Sequence, residues 1–346
     1  MPIIKIDGSI GEGGGQILRT SISLSMATNT AVQIYNIRSK RPNPGIQPQH
    51  YMALKAAAAI SGAEITGLKL SSESIFFEPQ KVSNKISSID IGTAGSIPLV
   101  LQALIPSLVT SSLRYPIELI GGTDVKWSPT IDYIRYIFSP FLKIIGIKLY
   151  MEIRRRGYYP RGGGRVVFEV ENVSFPKALK FNKISKEVVV RSVCSNLPKN
   201  VAERQASAVL SVLQKSDLNL NTRTFVADET ALSPGTSVLV YSTGEFGPFI
   251  GSDSIGEKGK PAEKVGEEAA LSFLNEFSSS PDVDTHLSDM VIPYLFLSPY
   301  ASKVKISRIT RHLETNLFVS SLFIRREYFL TKQKDGSVVL DILSNT

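Results

Sequence analysis

At 346 residues the chain exceeds the usual single-domain size, which predicts two domains or one domain carrying an insertion. Hydrophobic residues make up 42% and charged residues 20%, the balance of a compact globular protein, and no apolar run approaches the roughly 20 residues that span a bilayer. One cysteine, Cys194, excludes an internal disulfide framework and a cysteine-clustered zinc site, while a net charge of +8 suits a polyanionic partner as well as ordinary surface basicity.

The N-terminus, MPIIKIDG, enters a strand pattern at once, leaving no room for a secretory leader, so a cytoplasmic location is expected. IDGSIGEGGGQILRTSISLSMA then reads as strand, glycine turn and apolar helix. The turn holds Gly8, Gly11, Gly13, Gly14 and Gly15 but fails the G-x-G-x-x-G fingerprint, because Gln16 stands where the third glycine belongs. What remains is a helix N-terminus whose free N–H groups and positive dipole end can receive phosphate. Glu12 beside a phosphate is repulsive unless a divalent cation bridges them. It is therefore either a metal ligand or the solvated acid of a tight turn.

AVQIYNIRSKRPNPGIQPQHYMALKAAAAISGAEITGLKL continues as strand, loop with Pro44, helix and a glycine-marked return to a strand. The loop gathers Arg38, Lys40 and Arg41, followed by Gln49 and His50 at the helix start. Arginine forks suit phosphate, and a neutral polar pair beside them can orient a sugar or a terminal phosphate. A solvated basic loop has the same composition. IDIGTAGSIPLVLQALIPSLV and PIELIGGTDVKWSPTIDYIRYIFSPFLKIIGIKLYMEI repeat the whole order, with Pro129 in the place of Pro44. RRRGYYPRGGGR, Arg154 to Arg165, predicts an exposed hairpin with a glycine turn, and its five arginines and two tyrosines also suit a nucleic-acid backbone and stacked bases.

The next stretch breaks the repeat. A strand EVVVRSVC, a helix from Val201 to Lys215, strands near TRTFVA and SVLVYS and a helix from Pro261 to Asn275 predict a small α+β sheet, ending in the linker SSSPD. Within it GSDSIGEK misses the P-loop pattern through the inserted Glu257 and the absent hydroxyl. A third, looser copy follows in DVDTHLSDMVIPYLFLS, SKVKISRITRHLETNLFVSSLFI and two closing strands, including SVVLDIL. The expected fold is α/β (α+β), with three β-α-β-α-β-β type units packed around a common axis. Residues 1–182 and 278–346 would form this core, and 183–277 a smaller inserted α+β domain.

Only three histidines occur, His50, His286 and His312, each near a turn of a unit. His312 opens the apolar helix LETNLFVSSLF, so the dipole disfavours imidazolium there, and an ordinary pKa of about 6.5 leaves the ring mostly neutral near pH 7. A neutral ring nitrogen is a nucleophile. A satisfied structural histidine is the alternative. Neither G-x-S-x-G nor H-E-x-x-H occurs, which leaves serine-hydrolase and zinc-protease chemistry without support.

GEGGGQILRT, RPNPGIQPQH, DIGTAGS, YPRGGGR, GEKGKPAEKVGEEAA and RHLETN together resemble the RNA 3′-terminal phosphate cyclases, in order along essentially the whole chain. The resemblance implies three repeats plus an insert. It also implies a reaction in which a histidine takes AMP from ATP and passes it to an RNA 3′-phosphate, which the neighbouring 2′-hydroxyl then attacks to give a 2′,3′-cyclic phosphate. By motif, His312 would be the adenylated nucleophile and Glu12 the ligand of Mg2+ or Mn2+. Arg19, Gln102, Pro129, His286, Leu287, Ser288, Asp289 and Met290 would surround ATP, while Arg38, Arg41, Gln49 and His50 would hold RNA or phosphate. The family often has an aromatic residue where His286 stands and a glutamine where Met290 stands. Two other readings carry different chemistry: a cyclase-like RNA-binding factor of ribosomal RNA processing without catalysis, against which His312 argues, and a transferase of the same broad fold acting on a small phosphorylated metabolite, as in the enolpyruvyl transferases.

Overall fold

Three sheets share one strand order, and that order shows the repeat more plainly than any residue does. The computed structural model describes residues 3–80, 86–92, 94–111, 114–172, 174–175, 177–182 and 185–344. Thr93 of the DIGTAGS motif and residue 183, where the insert is expected to begin, lie outside them. The first unit runs β1 (Ile4–Asp7), α1 (Gly15–Thr28), β2 (Val32–Tyr35), α2 (Pro48–Ser61), β3 (Glu64–Thr66) and β4 (Ile75–Glu78). Its order is β1-β2-β4-β3. β1 and β2 are parallel, Ile4 beside Val32, and α1 supplies the crossover that parallel neighbours require. β4 is antiparallel to both of its neighbours.

The second unit repeats this with β5 (Ser88–Asp90), α3 (Ile97–Thr110), β6 (Ile117–Gly121), α4 (Ile131–Tyr133), a π-helical segment Ile134–Phe138, α5 (Ser139–Ile144), β7 (Ile147–Arg155) and β8 (Gly164–Asn172). The order is β5-β6-β8-β7. After β9 (Glu187–Ser195), α6 (Asn200–Gln214), β10 (Asn221–Asp228), β11 (Gly235–Ser242), β12 (Gly251–Ile255) and α7 (Ala262–Ser278), the third unit follows with α8 (Thr285–Leu297), β13 (Ser302–Ile306), α9 (Arg311–Phe323), β14 (Tyr328–Lys332) and β15 (Val338–Ile342). Its sheet is β13-β15-β14. The leading strand has shrunk to Val283, bridged in parallel to Ile306 and to Phe249. A one-residue strand needs no alternating run, which explains why this copy is the loosest in sequence.

The helices of the units meet one another: α1 packs on α2, α3 and α9, and α8 packs on α9. α1 is buried along nearly its whole circumference from Ile17 to Met26, so the hydroxyls of Ser21, Ser25 and Thr28 turn to backbone carbonyls, Ser21 Oγ donating to that of Ile17 at 2.6 Å. Boundaries follow local chemistry. Asn29 ends α1 and Gly62 ends α2 in the left-handed conformation, and Pro48 opens α2, where a missing N–H costs nothing.

β10-β9-β11-β12 forms a further sheet, covered by α6 and α7 and filled by Val188, Val209, Leu213, Val238, Phe273 and Phe277. β12 was not anticipated from the sequence, because GSDSI has no alternating apolar face. Gly266 lets the two helices touch, since a Cβ there would lie 2.2 Å from the carbonyl oxygen of Gln205.

The expectation for RRRGYYPRGGGR needs correction. β7 and β8 do pair as a hairpin, and the exposed Arg154 and Arg165 reach Glu118. Arg156, however, is fully buried. Its guanidinium meets Glu229 at 2.8 Å, Asp132 at 2.8 Å and Asp124 at 3.3 Å, and its N–H donates to Thr230. This arginine therefore joins the second unit to β10 and its following turn. Among the described residues no helix is long and apolar enough to cross a membrane.

Candidate active site

His312 stands in the first turn of α9, as its position in sequence implied. Thr310 caps that helix: its hydroxyl accepts from the N–H of Leu313 at 2.8 Å and donates to Asp289 Oδ1 at 2.6 Å. His312 Nε2 lies 3.3 Å from Glu12 Oε2, and Nδ1 is buried without a partner. Burial lowers the imidazole pKa below 6.5, assisted by Arg19, His286 and Arg41 and opposed by Glu12. The ring is therefore held neutral at physiological pH.

Glu12 comes from the turn between β1 and α1. Arg41 Nη2 meets the same oxygen, Oε2, at 3.2 Å, which leaves Oε1 without a hydrogen bond among the described residues. The glycines around it make room for side chains from other elements. A Cβ on Gly15 would lie 2.1 Å from His50 Nε2, and one on Gly11, where φ is +65°, would lie 2.2 Å from Thr315 Oγ1. So α2, the basic loop and α9 all converge on this turn.

His50 is 2% exposed. Its Nδ1 accepts from the N–H of Gln47, closing a reciprocal cap on α2. Burial, with the charges of Arg19 and Arg38, pushes its pKa down to about 3. Gln49 beside it is exposed. Arg38 adopts φ of 56° and gives one hydrogen bond to the carbonyl of Asn43, its Nε unpartnered. Arg19 is half-buried, donates from Nη2 to Gln16 Oε1 at 2.7 Å, and leaves Nε unsatisfied. Burial lowers its pKa to about 10. No carboxylate pairs with it among the described residues.

A narrow cleft is lined by Gln16, Arg19, Thr20, Gln102, Asp289 and Met290, with Ser23 and Pro293. Four of the residues expected around ATP thus share one wall. Asp289 is 9% exposed, and burial raises its carboxyl to about 7 despite the Thr310 hydrogen bond. Leu287 and Ser288 point elsewhere: Leu287 lies in the core and the Ser288 hydroxyl donates to the carbonyl of Thr285. His286 is exposed, its ring edge-on to Tyr133 at 6.5 Å. Pro129 is half-buried at the approach to α4.

Sequence reasoning missed what holds these groups together. Asn316, one turn beyond His312, is fully buried. Its Oδ1 accepts from Thr20 Oγ1 at 2.6 Å and Gln16 Nε2 at 3.2 Å, and its Nδ2 donates to the carbonyl of Asp289 at 2.6 Å. α1, α8 and α9 are joined in one side chain. Asp284, the N-cap of α8, likewise accepts from Tyr133 Oη, Gly251 N and Leu287 N, and burial raises it to about 6. The i, i+4 spacing of His312 and Asn316 was the one available signal.

Comparison with known proteins agrees with this architecture. Residues 10–330 match the family model described as RNA 3′-terminal phosphate cyclase. A protein of that name from Pyrobaculum aerophilum is 43% identical over 98% of this chain and 97% of its own length. Another from Desulfurococcus amylolyticus is 45% identical over 93% and 92%, and one from Korarchaeum cryptofilum is 38% identical over 99% and 98%. A three-repeat frame shared along nearly the full length with such proteins defines an enzyme of the ligase class. The chain belongs to the RNA 3′-terminal phosphate cyclase family.

Proposed function

We propose that this enzyme converts an RNA 3′-terminal phosphate to a 2′,3′-cyclic phosphate at the expense of ATP, through AMP bound first to His312 and then to the RNA end. The observation that carries this reading is the neutral His312 ring beside Glu12, tied through Thr310 and Asp289 to a cleft that presents Arg19. A neutral imidazole carries one proton and attacks through the nitrogen that lacks it, so Nε2 acts in the tautomer protonated at Nδ1, once Glu12 no longer accepts from it. Nε2 bonds to the α-phosphorus of ATP and pyrophosphate leaves. An oxygen of the RNA 3′-phosphate then attacks that phosphorus, breaking the P–N bond. Finally the 2′-oxygen attacks the terminal phosphorus, loses its proton, and AMP leaves.

Arg19 suits the triphosphate, because a half-buried cation with an orphaned donor gains most from an incoming anion. Arg38 also keeps an unpartnered Nε and fits the RNA end, with Arg41, Gln49 and His50 beside it. Among the described residues no cluster of three acidic, histidine or cysteine side chains could hold a metal. The free Oε1 of Glu12 nevertheless fits the single carboxylate by which Mg2+ or Mn2+ joins substrate phosphates and waters. When bound, the cation offsets charge on the triphosphate. Within this reading residues 183–277 are an inserted domain, supported by their own sheet and core.

Incubation with α-labelled ATP and a divalent cation should leave acid-labile, alkali-stable label on the protein. His312→Ala should abolish it, and RNA bearing a 3′-phosphate should discharge the label as cyclic ends form. Undiminished labelling of His312→Ala would refute the assignment.

A further inference from the structure

The loop Lys126 to Thr130 holds the chain's only tryptophan, 93% exposed, with φ of 62°. That backbone region is uncommon for any residue but glycine, and large side chains occupy it when their surroundings impose it. Both flanks are fastened here. Lys126 pairs with Glu257 at 2.5 Å, the Ser128 hydroxyl bonds that of Ser96, and the N–H of Thr130 donates to Asp253 at 2.6 Å. The fold thus holds an indole in water, where its apolar area contributes nothing to stability.

Tyr159, 80% exposed, crowns the neighbouring β7–β8 loop. The two loops rise from one junction, since the N–H groups of Thr123 and Asp124 both donate to the carbonyl of Gly157, at 2.8 and 3.2 Å. Around them stand cations without carboxylate partners among the described residues. Lys258 is exposed beside Glu257, and the Arg161 guanidinium reaches only the carbonyl of Leu232. The same loop leads through Pro129 to Tyr133, which meets His286, and Ser96 caps α3, which carries Gln102 on the cleft wall.

We infer that Trp127 and Tyr159 form a stacking surface for the bases of single-stranded RNA upstream of the reacting end, with Arg161 and Lys258 beside its phosphates. Two rigid aromatic faces bordered by unpaired cations match an unpaired polynucleotide better than a protein surface, because every base offers a π-face and every linkage a negative charge. The inference rests on the proposed RNA substrate but adds a surface away from the reacting groups.

The single tryptophan provides the probe. An oligoribonucleotide with a 3′-phosphate and a 5′-fluorophore is titrated into the wild-type enzyme while indole emission and probe anisotropy are recorded together. Emission should fall in parallel with binding. Trp127→Ala and Tyr159→Ala should each weaken oligonucleotide binding and raise its KM by about 5- to 150-fold, with adenylation and turnover of a dinucleotide 3′-phosphate unchanged. RNA bound with constant emission would overturn the inference. Wild-type affinity in both variants would do the same and assign the surface to a protein partner, and a parallel loss of adenylation would move Trp127 to the ATP site. If the wild type binds RNA with quenching but forms no cyclic ends, the proposed reaction fails and the stacking surface stands.

Discussion

Replacing Asp289 by asparagine should stabilise the protein at alkaline pH while damaging the cleft. Burial raises this carboxyl from 3.8 to about 7. Between those values the folded state binds more protons than the unfolded state, so stability from this group is greatest in acid and declines as pH rises through 7. At about 1.36 kcal/mol per pH unit, the full rise corresponds to about 4 kcal/mol of instability above pH 7. Asparagine keeps an oxygen to accept from Thr310 and carries no charge to bury. Urea denaturation should therefore find Asp289→Asn equal to wild type near pH 4 and more stable near pH 8, by a large fraction of that figure. ATP affinity should fall in the same variant, because the carboxylate faces the cleft. A variant less stable than wild type at both pH values would show that ionisation is not the cost borne at this site.

Glu12→Gln removes the one charge that raises the His312 pKa, so the acid limb of the adenylation rate, read from labelled protein across pH, should move further below 6.5; a move upward contradicts the coupling. Gly15→Ala drives a methyl into the His50 ring and should cost about 1–3 kcal/mol, as overpacking does. Gly15→Ala with His50→Ala should recover part of that loss, and strictly additive urea midpoints would show that the two do not touch. Arg156→Met leaves Asp124, Asp132 and Glu229 without their shared cation and should destabilise by about 3–5 kcal/mol. Chemical denaturation measures it, and a change under about 1 kcal/mol would place the arginine's worth outside that network.

The glycine turn marks the limit of reading by composition. Its residues drew attention to phosphate, yet the bare backbone at Gly11 and Gly15 admits Thr315 and His50, partners remote in sequence. Arg156 shows the same limit. Within RRRGYYPRGGGR nothing separates it from Arg154 or Arg165; only Asp124, Asp132 and Glu229, brought from two other stretches, turn it inward.

Periodicity, helix punctuation and motif order determined the repeats and the place of His312 at a helix start, because these depend on residues near one another along the chain. Tertiary structure alone decided that Glu12 meets His312, that Asn316 ties three helices and that Trp127 stays in water. Those arrangements depend on which distant side chains share a space once the core closes, and no local pattern encodes that distance.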